Sequence, residues 1–281
     1  MQTGQPSRTA FGAAILRAVH QTADGASIFV DPLAHVLLGD DADALIAASA
    51  ADPSRQQLRL FLAARSRFAE DALAAAVSRG VRQAVIIGAG LDTLALRNPH
   101  QAIGLRVFEA DHPATQAWKR ERIVAAGRAV PDLLTFVPVD FERQHLGDAL
   151  AAGGFRSSEP AFFHWLGVVP YLRREAVLAV LSFLASLPAA EVVFDYTEPL
   201  ANYAPARRVN VAALAARTAA IGEPWLSYFD PSELAAELRK CGFDELVDVS
   251  RDDIVGRYLG VPQAERAREA GAHVMQARRL T

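Results

Sequence analysis

Val85–Arg97 reads VIIGAGLDTLALR. An apolar run of β-formers enters Gly88-Ala89-Gly90 and leaves as a helix-compatible run. Glycine suits a place where the chain turns sharply and a ligand touches the backbone. In an open parallel sheet such a turn lies beyond the carboxyl ends of the strands, where ligands bind. An ordinary tight βα turn would read the same from two glycines alone. The neighbouring residues narrow the choice. A dinucleotide fingerprint needs a third glycine where Thr93 stands, and a P-loop needs a nearby lysine that this segment lacks. Pyrophosphate is disfavoured, and a compact nucleoside without phosphates is favoured.

Working outward, Ala84–Gly88, Leu105–Ala110, Leu134–Val139, Ala161–Leu166 and Glu191–Tyr196 read as strands. Arg55–Arg79 reads as a long helix, with Leu58, Leu62, Phe68, Leu73 and Val77 at helical spacing and Gly80 past its end. Pro113–Ala126, Glu142–Ala152 and Arg173–Leu187 are further helix candidates. Strands alternating with helices imply right-handed βαβ crossovers and an α/β fold with a mostly parallel sheet. The tail reads as helix Pro231–Lys240, a Cys-Gly break, strand Glu245–Ser250, a helical stretch near Val261–Ala270, and strand His273–Arg278. The simplest organisation is a single domain over 1–281. In it a helical cap or lid (1–80) precedes a core (81–281) with a substrate-side insertion near 199–225.

Two further strands end in acid. VFEADHP carries Glu109 and Asp111 about 20 residues past the glycine loop, where a carboxylate can hold a ribose diol. Asp111-His112-Pro113 also suits a helix N-terminus, so capping by Asp111 stands beside ribose binding. Val139-Asp140-Phe141 offers a carboxylate and a ring that suit adenine, while Asp140 equally suits a cap for the following helix.

Composition bounds the rest. At 51% hydrophobic and 22% charged residues, the chain is neither disordered nor fibrous. A net charge of −3 supplies no basic field for nucleic acid or anionic membrane. Cys241 is the single cysteine and cannot close an internal disulfide, which points to a reducing compartment. The longest apolar stretch, near Val177–Leu187, is too short to span a bilayer, and no secretory leader is recognisable, so a cytoplasmic location is expected. No Cys/His cluster has zinc spacing, and no metal is expected. Lysine is nearly absent: only Lys119 and Lys240 occur, and arginine carries the positive charge.

Several separated motifs together resemble the leucine carboxyl methyltransferase family, in particular its bacterial branch of S-adenosylmethionine-dependent O-methyltransferases. They are RSRFAEDAL (65–73), VRQAVIIGAGLDTLALR (81–97), VFEADHPATQAWK (107–119), Val137–Asp140 and FHWLGVVPYL (163–172). Asp31-Pro32-Leu33-Ala34, GEPWLS (222–227), Cys241-Gly242-Phe243 and Arg257-Tyr258 fit the same branch. The resemblance implies a class I methyltransferase (Rossmann-like) fold, with seven mostly parallel strands and one antiparallel strand near an edge. It implies S-adenosylmethionine as cofactor. Gly88 and Gly90 would contact its amino-acid part. Arg65 would pair with its carboxylate, with Arg17 as a second candidate, since a guanidinium fork bonds both oxygens. Asp111 would take the ribose with Glu109 close by, and Asp140 with Phe141 the adenine.

Two positions depart from the family pattern. Leu94 stands where an arginine is common, and Leu166 stands where eukaryotic members carry a glutamate near the methyl-transfer centre. Methyl transfer is an in-line displacement, so alignment and water exclusion dominate. A carboxylate acceptor needs no general base; a hydroxyl acceptor calls for one. Tyr171, Tyr196 and His164 are the main substrate-side candidates, with Tyr203 and His112 also at the rim. A lone histidine is more often structural than catalytic. The expected acceptor is a small molecule or a peptide end. The alternatives are a non-catalytic S-adenosylmethionine binder and an NAD(P)-dependent oxidoreductase on the same architecture.

Overall fold

The computed structural model describes residues 7–141, 143–266 and 269–280. Seven strands form one sheet in the order β3-β2-β1-β4-β5-β7-β6. They are β1 (Gln83–Ile87), β2 (Arg106–Asp111), β3 (Leu134–Pro138), β4 (Ala161–Trp165), β5 (Glu191–Thr197), β6 (Glu245–Ser250) and β7 (Ala272–Arg278). β1 to β5 pair in parallel, and β7 runs antiparallel between β5 and β6. The order reverses at β1, which pairs with β2 on one side and β4 on the other. This is the topological switch point at which open α/β sheets form their crevice. The expectation of seven mostly parallel strands is met.

Each face of the sheet carries its own core. In β5, Val192, Phe194 and Tyr196 join the cluster built with Leu181 and Leu184 of α7 (Arg174–Ala185) and Leu234 and Leu238 of α9 (Pro231–Cys241). Val193 joins the opposite cluster, built on α3 (Gln56–Ser78) through Phe61, Phe68, Leu73 and Val77. Alternation along a strand sends neighbouring side chains to opposite faces, which fixes what each can reach. A third cluster lies under the N-terminal helices α1 (Arg8–Ala23) and α2 (Ala42–Ala50). Ala14, Ala18, Leu37 and Leu38 pack there on Leu91 of the glycine loop and Ile123 of α5 (Pro113–Ala125).

The predicted strands and the long helix are present, with ends shifted by one or two residues. Two readings need correction. The helix predicted over Glu142–Ala152 starts at Leu146 as α6 (Leu146–Ala152). Ahead of it a turn forms, in which the Arg143 and Gln144 amides donate to the Asp140 carbonyl at 3.0 and 2.8 Å; position 142 lies outside the described residues. The helix predicted near Val261–Ala270 lies earlier, as α10 (Arg251–Tyr258), followed by a single 3-10 turn at Gln263–Glu265. The Ser250 hydroxyl caps α10 by accepting from the Asp253 amide at 3.2 Å, and Gly260 at φ +74° ends it. The segment read as an insertion near 199–225 contains a helix, α8 (Pro205–Ala220), started by a proline in its first turn. Between β1 and α5 lies the short α4 (Leu94–Arg97), whose Leu94 is buried against the α3-side core.

Candidate functional site

The carboxyl ends of β1, β2, β4 and β5 converge on the glycine loop. Gly88 and Gly90 have φ of +66° and +49°, a region in which side chains are strained. A Cβ on Gly88 would overlap Val168, and one on Gly90 would lie 2.9 Å from Ala10 of α1. Gly167, after β4, has φ +73°, and a Cβ there would lie 2.9 Å from Arg65 Nη2. Backbone, the first turn of α1 and arginine thus pack so closely on these three positions that only glycines fit.

Asp111 ends β2 and holds the loop. Its Oδ2 accepts from the Gly90 amide at 2.5 Å and its Oδ1 from the His112 amide at 2.6 Å. Burial pushes its pKa up, and those two amides pull against it. It does not cap α5. His112 is the N-cap residue, and its Nδ1 accepts from the Ala114 amide at 3.2 Å.

Arg65, on α3, reaches the end of β5. Its Nη1 donates to Asp195 Oδ2, and Asp195 Oδ1 accepts from the Gly167 amide at 2.5 Å. Arg65 Nε is buried and has no partner. Asp195 was not singled out in the sequence. It occupies the position before Tyr196 and, by strand alternation, points to the opposite face.

Two other predicted cofactor contacts are engaged elsewhere. Glu109 is wholly buried, and both its oxygens lie 2.7 Å from Lys119 Nζ. Burial lifts its pKa to about 7 against the pull of Lys119. Glu109 therefore stands two residues deeper on β2 than Asp111, turned to Lys119 and away from solvent. Arg17 donates to the Leu91 carbonyl, lies 3.0 Å from Asp31 Oδ2 through Nε, and 3.7 Å from Asp92 Oδ2 through Nη1. Its guanidinium braces the loop.

Asp31 and Asp92 hold the loop through contacts that spacing alone did not reveal. Asp31 is wholly buried. It accepts from the Thr93 hydroxyl at 2.6 Å and the Leu33 amide at 3.0 Å, and lies 3.3 Å from Arg97 Nε. Arg97 also binds both oxygens of Glu70. Thr93, read as a missing glycine, is thus the loop's anchor to the cap. In Asp92, burial would raise the carboxyl pKa, but nearby His164, Arg17 and Lys119 draw it down to about 2. Burial lowers the His164 pKa, and the Asp92 charge pulls against it.

Past the end of β3, Asp140 is half-buried. Its amide donates to Gln144 Oε1 at 2.9 Å, and its Oδ2 lies 3.6 Å from Arg143 Nε. It makes no cap for α6, whose N-cap residue is His145. Phe141 packs against the α7-side core.

The substrate-side candidates separate sharply. Tyr196 faces away from Arg65: it is 1% exposed, donates to Asp248 Oδ2 at 2.9 Å and stacks on His273. Its predicted substrate contact is corrected, because strand alternation turns it into the α7-side core, where burial and Asp248 raise its pKa. Tyr203 is buried on Thr197, with their hydroxyls 2.7 Å apart. His164 is 2% exposed and its Nδ1 has no partner. Tyr171 is half-buried at the end of a 3-10 turn after β4. Burial raises its phenol, only partly offset by Trp225, Thr9 and the Arg65 charge. Leu166 packs against the α3-side core. The GEPWLS motif closes this side: the Glu223 carboxylate accepts from the Arg8 and Thr9 amides at 2.9 and 3.0 Å, at the N-terminus of α1. An anion there complements the helix dipole.

Residues 10–185 match the family model described as leucine carboxyl methyltransferase. A Bacillus subtilis (strain 168) protein named "Putative S-adenosyl-L-methionine-dependent methyltransferase YktD" is 37% identical over 193 residues, covering 68% of this chain and 63% of that protein. "Putative S-adenosyl-L-methionine-dependent methyltransferase FRAAL3718" of Frankia alni is 33% identical over 193 residues, covering 65% of each. The chain thus aligns with less than two thirds of the length of these curated relatives. Among solved structures, a DUF574 family protein from Streptomyces avermitilis MA-4680 shares the fold at a TM-score of 0.57 and 20% identity, covering 94% of this chain and 96% of that one. By the family model and the extent of that first alignment, the chain belongs to the leucine carboxyl methyltransferase family.

Proposed function

We propose that this protein is an S-adenosylmethionine-dependent O-methyltransferase acting on a carboxylate or hydroxyl of a small molecule or a peptide end. The observation that carries the reading is the set of groups gathered at the switch point. Three glycines leave no room for side chains there, Asp111 ends β2 beside them, and Arg65 offers a buried, unpartnered Nε. These groups fit the cofactor's chemistry. Arg65 would hold its carboxylate, the Gly88–Gly90 backbone its amino-acid chain, Asp111 its ribose, and Asp140 with Phe141 its adenine. Glu109 leaves the contact set, since Lys119 holds both its oxygens, while Arg17 stays the second candidate for the carboxylate, its buried Nε making no hydrogen bond. The bound cofactor supplies an electrophilic methyl group on a sulfonium. The chain's task is to align the acceptor and exclude water. The helical cap ending near residue 80 serves that exclusion, with Ala10 laid over Gly90 and Glu223 holding the start of α1.

The acceptor that best fits arrives already anionic. Tyr196 is turned away, His164 is enclosed, and burial raises Tyr171, which makes it a poor base. A carboxylate needs none of them. The rival reading, a cofactor binder without turnover, draws on the apolar Leu166. Calorimetry with S-adenosylhomocysteine tests the binding half: saturable binding is expected, and Arg65→Ala should weaken it more than ~10-fold, the loss of a charge-assisted bond. Saturable NADH binding with none of S-adenosylhomocysteine would overturn the reading. Incubating a cell extract with methyl-labelled S-adenosylmethionine tests turnover. A labelled ester, cleaved by mild base, is the expected product. Tight binding with no labelled product would favour the rival.

A further inference from the structure

The chain uses arginine almost everywhere, and one of its two lysines, Lys240, lies at an exposed helix end. The other, Lys119, is 1% exposed. It lies on α5, and its ammonium has three acceptors: Glu109 Oε1 and Oε2 at 2.7 Å each, and the Asp92 carbonyl at 2.6 Å. Three donors on a compact tetrahedral head meet three converging acceptors. A planar guanidinium cannot reproduce that arrangement. The carbonyl it holds belongs to the glycine loop. The rest of that loop is also tied by charged groups: Gly90 N–H to Asp111, Leu91 O to Arg17, and the Leu94 amide to Asp92 Oδ1 at 2.7 Å. Lys119 also acts on Asp111, favouring its ionised form.

We propose that Lys119, neutralised by Glu109, is a positioning residue that sets the glycine loop in its ligand-binding shape before the ligand arrives. This rests on the reading of the loop as an S-adenosylmethionine site. A loop fixed in advance spares the ligand the ordering cost, so the effect belongs in affinity. Fold stability can be separated from it. Replacing a buried ion pair as a unit by apolar residues of similar volume is commonly neutral or stabilising, whereas removing one partner is not.

The test is the double variant Lys119→Met/Glu109→Leu, measured by thermal melting and by calorimetry with S-adenosylhomocysteine. The expected result is a melting temperature close to wild type with affinity reduced at least ~10-fold, the size of one lost charge-assisted bond. Wild-type affinity in the folded double variant would overturn the proposal. Hydrogen exchange on the unliganded wild type gives an independent decision. The amides of Gly90, Asp92 and Leu94, each hydrogen-bonded within the loop or to Asp111, should exchange as slowly as those of β1; exchange as fast as an exposed loop tip overturns the proposal, whether or not the double variant folds. Wild-type protein that does not bind S-adenosylhomocysteine at all would instead sink the functional reading and leave the exchange result standing by itself.

Discussion

Removing the Asp31 carboxylate should loosen the cap and the glycine loop together. Asp31 has four partners: the Thr93 hydroxyl, the Leu33 amide, Arg17 and Arg97. Breaking a buried ion pair from one side costs about 3–5 kcal/mol, because the other charge stays buried. Here the lower end applies. Arg97 keeps Glu70, and Arg17 keeps the Leu91 carbonyl and a 3.7 Å approach to Asp92. Asp31→Ala should therefore cost about 3 kcal/mol, using the lower end of that range. At roughly 2–4 °C per kcal/mol for chains of about this size, melting should fall by roughly 6–12 °C. Asp31→Asn keeps the shape and one acceptor, so it should cost about half as much, the charge-assisted share of those bonds. Calorimetric melting of the unliganded protein measures both. A cycle with Thr93→Val locates the effect: Asp31→Ala and Thr93→Val should couple by about 1 kcal/mol, as contacting residues do. A melting shift under ~2 °C for Asp31→Ala, well below any buried-pair loss, would refute the reasoning. So would strict additivity with Thr93→Val, which would mean that the cap is not anchored through the loop.

Gly88→Ala should destabilise twice over. The left-handed backbone costs roughly 1–2 kcal/mol for a residue with a Cβ, and the overlap with Val168 about 1–3 kcal/mol more. Adding Val168→Ala should recover the second part in thermal melts, and no recovery would contradict the close approach. His273 predicts a pH dependence. Its Nδ1 lies 3.1 Å from Asp248 on β6 and its Nε2 3.0 Å from Glu198 after β5, and Tyr196 stacks on its ring. Burial lowers its pKa, but the two carboxylates outweigh burial and raise it overall. The protonated form is therefore favoured by folding. That stability is fully present below the ordinary histidine value of about 6.5 and is lost as pH rises through the higher folded value. Urea melts across neutral to alkaline pH should show this loss, and His273→Gln should flatten it.

What the sequence made legible follows from what is local. β1 and its glycine turn stand out because five buried apolar or amide-bearing residues precede glycines with positive φ, a pattern confined to a few neighbouring positions. The long helix α3 was readable for the same reason: its buried stripe repeats along one face. The predicted helix at 142–152 was too long at its start because Asp140 and Gln144 form a turn with each other first, and propensity does not register that competition.

The site was legible only as far as spacing carries depth and direction. Glu109 and Asp111 both sit on β2 two residues apart, so they share a face, and Glu109 was expected close to the ribose that Asp111 would take. Depth separates them. One residue pair along a strand is about 7 Å, enough to move a carboxylate from the strand's end to wholly buried contact with Lys119. Direction separates Asp195 from Tyr196. FDY was read for its tyrosine, yet in a strand buried on both faces only one of the two can look toward α3, and it is the aspartate that meets Arg65. Alternation was already available for that choice. Phe163 and Trp165 lie in the α7-side core and Phe162 in the α3-side core, so a register across β4 and β5 assigns Asp195 to the Arg65 side. The Asp31–Thr93 and Lys119–Asp92 links were beyond reach in a different way. They join segments 62 and 27 residues apart in the chain through single hydrogen bonds. No period or spacing encodes them, and they exist only because the sheet has already brought α5 and the cap to the same loop.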